Sequence, residues 1–406
     1  MVKFIHAADL HIDRSFEGLP LLNERVQKKF LTANHTMLER IVKISLLNKV
    51  DFVLFAGDTF HQNRPSLKMQ QVFFKEMKKL EAENIPVYLI FGNHDYYQEE
   101  RYWFEFPKNV HLYKNEQVET KYFTTKNDEK IAISGFSYQH PWIQEDMVRK
   151  FPVREQVDYH IGLYHGEVGK AGTSNYAPFT ISQMKEKGYD YWALGHIHVP
   201  TMLNKKPIIC YSGAPQGHTQ KEEKSTSIML VNLESEDSNY EKINVADVIW
   251  SEQTISLEAA KKSADVFQVI QSSLDENDSP LVLLQIRLVD YDHLSTEALE
   301  LIRTGEVLEY LMEEMRGPNK NIIIWRIVLK EQEISKKINV PVSNELLNEL
   351  LQTYADPMIF KQELKELYTH PEAIRVLNEL DEYQSETLRR VHSVLQEDFS
   401  FGDDRL

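Results

Sequence analysis

The first 95 residues repeat one phrase three times. A short apolar run ends in a knot of Asp, Asn or His, and a helix-period stretch leads to the next run. Lys3-Phe4-Ile5-His6-Ala7-Ala8 enters Asp9-Leu10-His11. Val50-Asp51-Phe52-Val53-Leu54-Phe55-Ala56 enters Gly57-Asp58-Thr59-Phe60-His61, and Ile85-Pro86-Val87-Tyr88-Leu89-Ile90 enters Phe91-Gly92-Asn93-His94-Asp95. Between them, Val26, Phe30, Met37, Ile41 and Ile44 carry helical spacing from about Leu22 to Asn48, and a second helix is read from Ser66 to Asn84. Alternation of this kind predicts a layered α/β fold, in which ligands gather at the carboxyl ends of the strands.

Two further runs extend the series. Tyr159–Tyr164 enters His165-Gly166, and Tyr189–Leu194 enters Gly195-His196-Ile197-His198, after a β-rich excursion over 110–139. At i, i+2 in extended backbone, Asp9 and His11 would face the same way and reach one ion. Twelve of the 15 histidines lie between His6 and His218. Any one knot could be an ordinary polar turn; five in order, each at a strand exit, point to a metal centre.

The chain of 406 residues has a net charge of −16, which argues against non-specific coating of nucleic acid. The acidity is not uniform: residues 1–250 hold 30 basic and 32 acidic residues, against 16 and 30 in 251–406. The single cysteine, Cys210, excludes an internal disulfide and reads as a buried strand residue. Met1 leads directly into a strand without a signal-peptide pattern, and no apolar run approaches a membrane span, so a cytoplasmic protein with no membrane contact is expected.

Asp9-x-His11, Gly57-Asp58, Gly92-Asn93-His94-Asp95, His165-Gly166 and Gly195-His196-x-His198, in this order, resemble the motif set of the calcineurin-like metallophosphoesterases. The longer forms Gly57-Asp58-Thr59-Phe60-His61-x-x-Arg64-Pro65-Ser66 and Tyr211-Ser212-Gly213-Ala214-Pro215-Gln216-Gly217 are similar to the SbcD-type branch of DNA double-strand-break-repair nucleases. The resemblance implies an α/β sandwich of two sheets flanked by helices, with a small α/β capping domain and C-terminal helices. It also implies two divalent ions, Mn²⁺ first and Fe²⁺ or Zn²⁺ as alternatives. Asp9, His11 and His198 would hold one ion and Asn93, His165 and His196 the other, with Asp58 bridging. His94 would be the general acid, Asp95 its orienting partner, and His61 and Arg64 contacts to the substrate.

The expected domains are a nuclease domain over 1–256, a capping domain over 257–340 and a partner-binding region over 341–406. In the second, helices are expected over Leu257–Leu274 and Ser295–Met315, with strands over Leu281–Val289 and Asn321–Lys330. Beyond Pro341, Leu346, Leu347, Leu350, Leu351 and Tyr354 form one helical stripe, and Ile374, Leu377, Leu380, Leu388, Val391 and Leu395 another; Phe401–Leu406 reads as a frayed tail. Self-packing is the default use of such stripes. The resemblance implies instead that they bind an SMC-like coiled-coil ATPase. DNA is the expected substrate, and a homodimer is compatible with the same resemblance. A phosphatase or phosphodiesterase for nucleotides or other small phosphoesters is the alternative, because the same residues serve either leaving group. A third class, an assembly protein with a relic site, is disfavoured by the complete ligand set.

Overall fold

The computed structural model describes residues 1–17, 24–172, 174–234, 238–262, 264–274, 280–314, 321–330, 338–343, 351–365, 384, 387, 388, 391 and 399–402. They fall in two compact units, Met1–Leu329 and Lys330–Leu406.

The first unit is built on two six-stranded sheets. One contains β1 (Val2–Ala7), β2 (Phe52–Ala56), β3 (Val87–Ile90) and β4 (Val110–Leu112) in parallel, with β11 (Ser227–Leu233) and β12 (Asn239–Asn244) joined antiparallel beside β1. The other contains β5 (Glu119–Thr124), β6 (Lys130–Gly135), β7 (Tyr159–His165), β8 (Tyr191–Gly195), β9 (Thr201–Lys205) and β10 (Ile208–Tyr211), in the order β5-β6-β7-β8-β10-β9.

Strand periodicity assigns each apolar residue its layer. Phe4, Leu54 and Tyr88 point between the sheets and meet Ile133, Ile161, Tyr191 and Cys210. The alternate residues Ile5, Val53, Phe55 and Leu89 point outward, under α1 (Glu24–Asn48) and α2 (Leu67–Ala82), where they meet Met37, Ile41, Phe73 and Met77. On the far side, Trp192, Leu194 and Ile209 pack against Phe151, Phe179 and Met184, the last from α3 (Ile181–Glu186). Cys210 is buried beneath the Tyr191 hydroxyl, and burial pushes its thiol up to about 12, as suits a packed residue and not a nucleophile.

A third sheet follows. β13 (Val248–Ser256), β14 (Leu281–Val289) and β15 (Ile322–Leu329) run parallel, and α4 (Asp265–Ser272), α5 (Thr296–Arg303) and α6 (Glu306–Glu314) cover Ile255, Ile286, Leu288 and Ile324. β13 precedes the expected 256/257 boundary, yet its partner is β14. The helix expected over Leu257–Leu274 is shorter, because the Asp265 carboxylate takes the amides of Lys261 and Lys262 and holds the chain in a turn first. The one expected over Ser295–Met315 starts as read, with Ser295 Oγ accepting the Ala298 amide, but splits at Gly305 (φ 89°).

In the second unit, Pro357–Glu363 is helical behind the Asp356 cap. Phe399–Gly402 pairs in parallel with Ile338–Ser343, so Phe401 and Gly402 belong to a strand and not to a frayed tail. Pro341 lies inside the first of these strands; a two-stranded ribbon leaves outer edges where its missing N–H costs no ladder bond. Leu346, Leu347, Leu350, Ile374, Leu377, Leu380 and Leu395 lie outside the described residues. No helix among the described residues is long and apolar enough to cross a membrane.

Candidate metal centre

The five strand exits meet at one end of the sandwich. His165, closing β7, sets Nδ1 2.9 Å from the carbonyl of Ala56 at the end of β2, and the His196 amide donates to both Asp9 oxygens at 3.0 Å. Asp9 (φ 52°), His11 (φ 42°), Asp58 (φ 52°) and His196 (φ 101°) all occupy the left-handed region, at roughly 1–2 kcal/mol each. The extended i, i+2 geometry expected for Asp9 and His11 is thus replaced by a turn. Amides of Asp9, His11 and Ile12 donate to the carbonyls of Gly57, Asp58 and Thr59 at 3.0–3.1 Å, and these bonds hold the strained backbone in place. The glycines in the knots have a steric reason. A Cβ on Gly57 would fall 2.3 Å from His165 Nδ1, and one on Gly92 would fall 2.2 Å from Asp58 Oδ1.

Asp9, His11 and His198 bring one ligand atom each within 4.8 Å of one another, as do Asp9, Asp58 and His165. Asp58 Oδ2 stands between the groups, 3.8 Å from His11 Nε2 and 3.5 Å from His165 Nε2. Asn93 Oδ1 lies 3.1 Å from both His165 Nε2 and His196 Nδ1. Because the Ala56 carbonyl can only accept, the His165 proton sits on Nδ1 and its Nε2 presents a lone pair to the Asn93 oxygen. Two acceptors facing each other at 3.1 Å make an arrangement that a cation among them would satisfy.

Charge argues the same way. Burial pushes the carboxyl of Asp9 up to about 7 and raises those of Asp58 and Asp95, while it lowers His11 and brings His165 and His196 down to about 3. Neutral imidazoles around buried carboxylates make a cradle that positive ions would satisfy, and its mixed nitrogen and oxygen donors fit Mn²⁺, Fe²⁺ or Zn²⁺.

His94 is exposed at the rim, its ring stacked on His61 (centroids 4.8 Å, 25° between planes) and edge-on to His11 at 5.1 Å. Its amide donates to Asp58 Oδ1 at 3.0 Å. Asp95, expected to orient His94, makes no hydrogen bond to its ring. Its carboxylate is spent on backbone, accepting the Gly92 amide at 2.8 Å and the Phe60 amide at 3.2 Å, so it ties the β2 and β3 exits together. His61 is placed by Asp13, which accepts the amides of His61 and Gln62. Arg64 is exposed and makes no hydrogen bond or ion pair with the described residues, and no contact joins it to the ligands. His6 is a core histidine bonded to Tyr191 Oη and the Leu194 carbonyl.

Sequence reasoning passed over Glu222, Asn34 and Arg14. Asn34, on α1, donates to the carbonyls of His11, Ile12 and Arg14 and accepts from His218 Nε2 at 2.9 Å, pinning the first exit loop. Glu222 Oε1 lies 2.7 Å from His198 Nδ1 and 3.0 Å from Arg14. The spacing Thr219-x-x-Glu222 signals a capping box, which is formed, but nothing local signals a contact with His198 24 residues away.

Residues 2–200 match the calcineurin-like phosphoesterase family, and the chain belongs to the calcineurin-like metallophosphoesterases. It is 31% identical over 364 residues to the uncharacterized metallophosphoesterase YhaO of Bacillus subtilis, covering 88% of this chain and 85% of that one. It is also similar to the DNA double-strand break repair protein Mre11 of Sulfolobus acidocaldarius, at 22% identity over 95% of this chain and 97% of the other. A third relative, a subunit of the nuclease SbcCD of Staphylococcus epidermidis, is 26% identical over 52% of this chain and 61% of its own length. The chain is therefore a metal-dependent phosphoester hydrolase by family, with a site for two divalent ions.

Proposed function

We propose that the protein is a DNA phosphodiesterase, an Mn²⁺-dependent 3′→5′ exonuclease and endonuclease acting in DNA repair with an SMC-like ATPase. The observation that carries this reading is the convergence of Asp9, His11, Asp58, Asn93, His165, His196 and His198 beneath an exposed imidazole, His94. Asp9, His11 and His198 would hold one ion, Asn93, His165 and His196 the other, and Asp58 both. Bound there, such ions supply Lewis-acid polarisation of the phosphoryl group and a water nucleophile at neutral pH. His94 donates a proton to the leaving sugar oxygen, a task typically worth about 10²–10⁴-fold, and the stacked His61 restricts its ring to few orientations.

The choice of DNA is supported by the relatives named as a break-repair protein and part of a nuclease, the first matched along nearly its whole length. The small sheet is assigned to capping the approach to the site, and the region after residue 340 to docking the ATPase. One observation favours a small phosphoester instead: residues 1–250 have no net basic charge, whereas a duplex binder neutralises several phosphates.

The test is hydrolysis by the full chain with Mn²⁺ of end-labelled duplex DNA, a small phosphodiester and a phosphomonoester, with His94→Ser as control. Shortening from 3′ ends that falls about 10²–10⁴-fold in the variant, with Mn²⁺ retained, is the expected result. Full activity in the variant removes the general-acid role. Turnover of small esters with DNA left intact, even with the ATPase present, replaces the nuclease reading.

A further inference from the structure

His198 differs from its fellow ligands in what stands behind it. His165 leans on a neutral backbone carbonyl, and His196 Nε2 comes no nearer than 3.8 Å to Glu167. His198 Nδ1 meets a buried carboxylate, Glu222 Oε1, at 2.7 Å, while its Nε2 faces His11 Nε2 at 3.2 Å. A carboxylate can only accept, so His198 carries a proton on Nδ1, and it is Nε2 that faces the ligand cluster.

Glu222 has no freedom to do otherwise. Its Oε1 is shared with Arg14 Nη1 at 3.0 Å, and its Oε2 accepts the amides of His218 at 2.7 Å and Thr219 at 3.3 Å. The backbone of His198 is clamped as well, its carbonyl accepting from Ser225 Oγ at 2.6 Å and the Ala214 amide at 2.9 Å. Capping of the turn at Gln220–Glu222 accounts for Oε2 alone. It leaves unexplained why Oε1, braced by a half-buried arginine from another loop, is aimed at the imidazole of a ligand.

We propose that Glu222 is a positioning residue of the metal centre: held by Arg14 and the His218 amide, it fixes the tautomer and ring orientation of His198 and raises its basicity toward the ion. The inference rests on the two-ion reading of the site and assigns a function to a carboxylate outside the ligand set. Groups that orient a ligating histidine in this way are typically worth about 10–100-fold in metal affinity.

The test is titration of the metal-free full chain with Mn²⁺ by calorimetry, with thermal melting of the same samples, for wild type, Glu222→Gln, Glu222→Ala and Arg14→Gln. One of the two ions should bind about 10–100-fold more weakly in Glu222→Ala and by a smaller factor in Glu222→Gln, which keeps one acceptor, while the other ion is unaffected. Arg14→Gln, which leaves the cap intact, should weaken the same ion. A purely structural cap would lower the melting temperature and leave both affinities of the folded variant unchanged, and Mn²⁺ binding within about twofold of wild type in Glu222→Gln and Arg14→Gln overturns the proposal even if Glu222→Ala does not fold. Wild type that binds no Mn²⁺ would instead overturn the two-ion reading itself, an outcome told apart by its appearing before any substitution.

Discussion

At the ligand end of the sandwich, four non-glycine residues stand at positive φ and four carboxylates are buried, whereas the described residues of the three-stranded sheet have one such backbone outlier, Asp290 (φ 55°), and an apolar interior of Ile255, Leu284, Ile286, Leu288 and Ile324. Its charged pair, Glu252 and Arg287 at 2.7 Å, stays on the half-exposed face. The two regions share a chain, a parallel sheet pattern and a layered construction, yet only one contradicts the local preferences of its residues. Such conflict concentrates where side chains must converge on a charge that folding alone would not bring together. The small sheet is under no such demand, and its residues do what their periodicity asks.

The sharpest way to break this contrast is to remove one residue from each region. Asp58→Ala should lose bound metal and reduce kcat/KM by about 10³-fold or more, since one carboxylate serves both ligand groups. The metal-free variant should also melt no lower than wild type, because the substitution removes a carboxylate that burial disfavours in its charged form. Metal analysis finding two ions retained would show that Asp58 does not join them. Ile286→Ala should do the reverse, costing about 2–5 kcal/mol in urea denaturation and leaving Mn²⁺ affinity and activity per folded molecule at the wild-type level. A loss of affinity there would mean that the small sheet shapes the metal centre.

The contrast also explains what could be read without coordinates. The strand exits were legible because each follows an apolar run, and Asp58, Asn93, His165 and His196 each have a glycine beside them. The facing that sends Phe4 inward and Ile5 outward was not, because both faces of these strands are buried and their runs are apolar throughout. Resemblance supplied the grouping of ligands, which spacing could not. Glu222 and Asn34 were hidden because their roles come from contacts more than 20 residues away in the chain. The bond of Asp95 to the Phe60 amide was hidden for the same reason, since the two lie 35 residues apart. β13 was missed because four consecutive polar residues at its middle, Ser251, Glu252, Gln253 and Thr254, dilute the apolar signal, and only pairing with β14 makes it a strand.

Acid provides a smaller and graded test. His6 and His160 are buried in the sandwich, and burial pushes their pKa values from 6.5 to about 3 and about 4, so between those values and 6.5 only the unfolded chain binds the proton. The stability they contribute is complete above pH 6.5 and is lost as pH falls, by about 1.4 kcal/mol per pH unit for each histidine. The described core of the small sheet buries no histidine. Wild-type stability relative to His6→Phe should therefore decline by that slope from pH 6.5 toward about 4, measured by urea unfolding of the metal-free protein. A flat difference would mean that His6 is already protonated in the fold, against its bond to the Leu194 carbonyl and the Tyr191 hydroxyl taken together with full burial.

The smallest effect is expected where the two regions touch. Gln220, two residues before Glu222, donates to Gln285 Oε1 on β14 at 2.7 Å, and Gln285 donates in turn to Glu252 on β13 at 2.8 Å. This chain runs from the small sheet to the turn that carries the partner of His198. Gln285→Leu removes both bonds at a cost of about 0.5–1.5 kcal/mol each, and because Arg14 and the His218 amide hold Glu222 independently, Mn²⁺ affinity should move by less than about threefold. A shift of about tenfold would show that the turn transmits the state of the small sheet to the metal centre. The comfortable region would then be setting the affinity of the strained one, and the two could no longer be treated as separate designs.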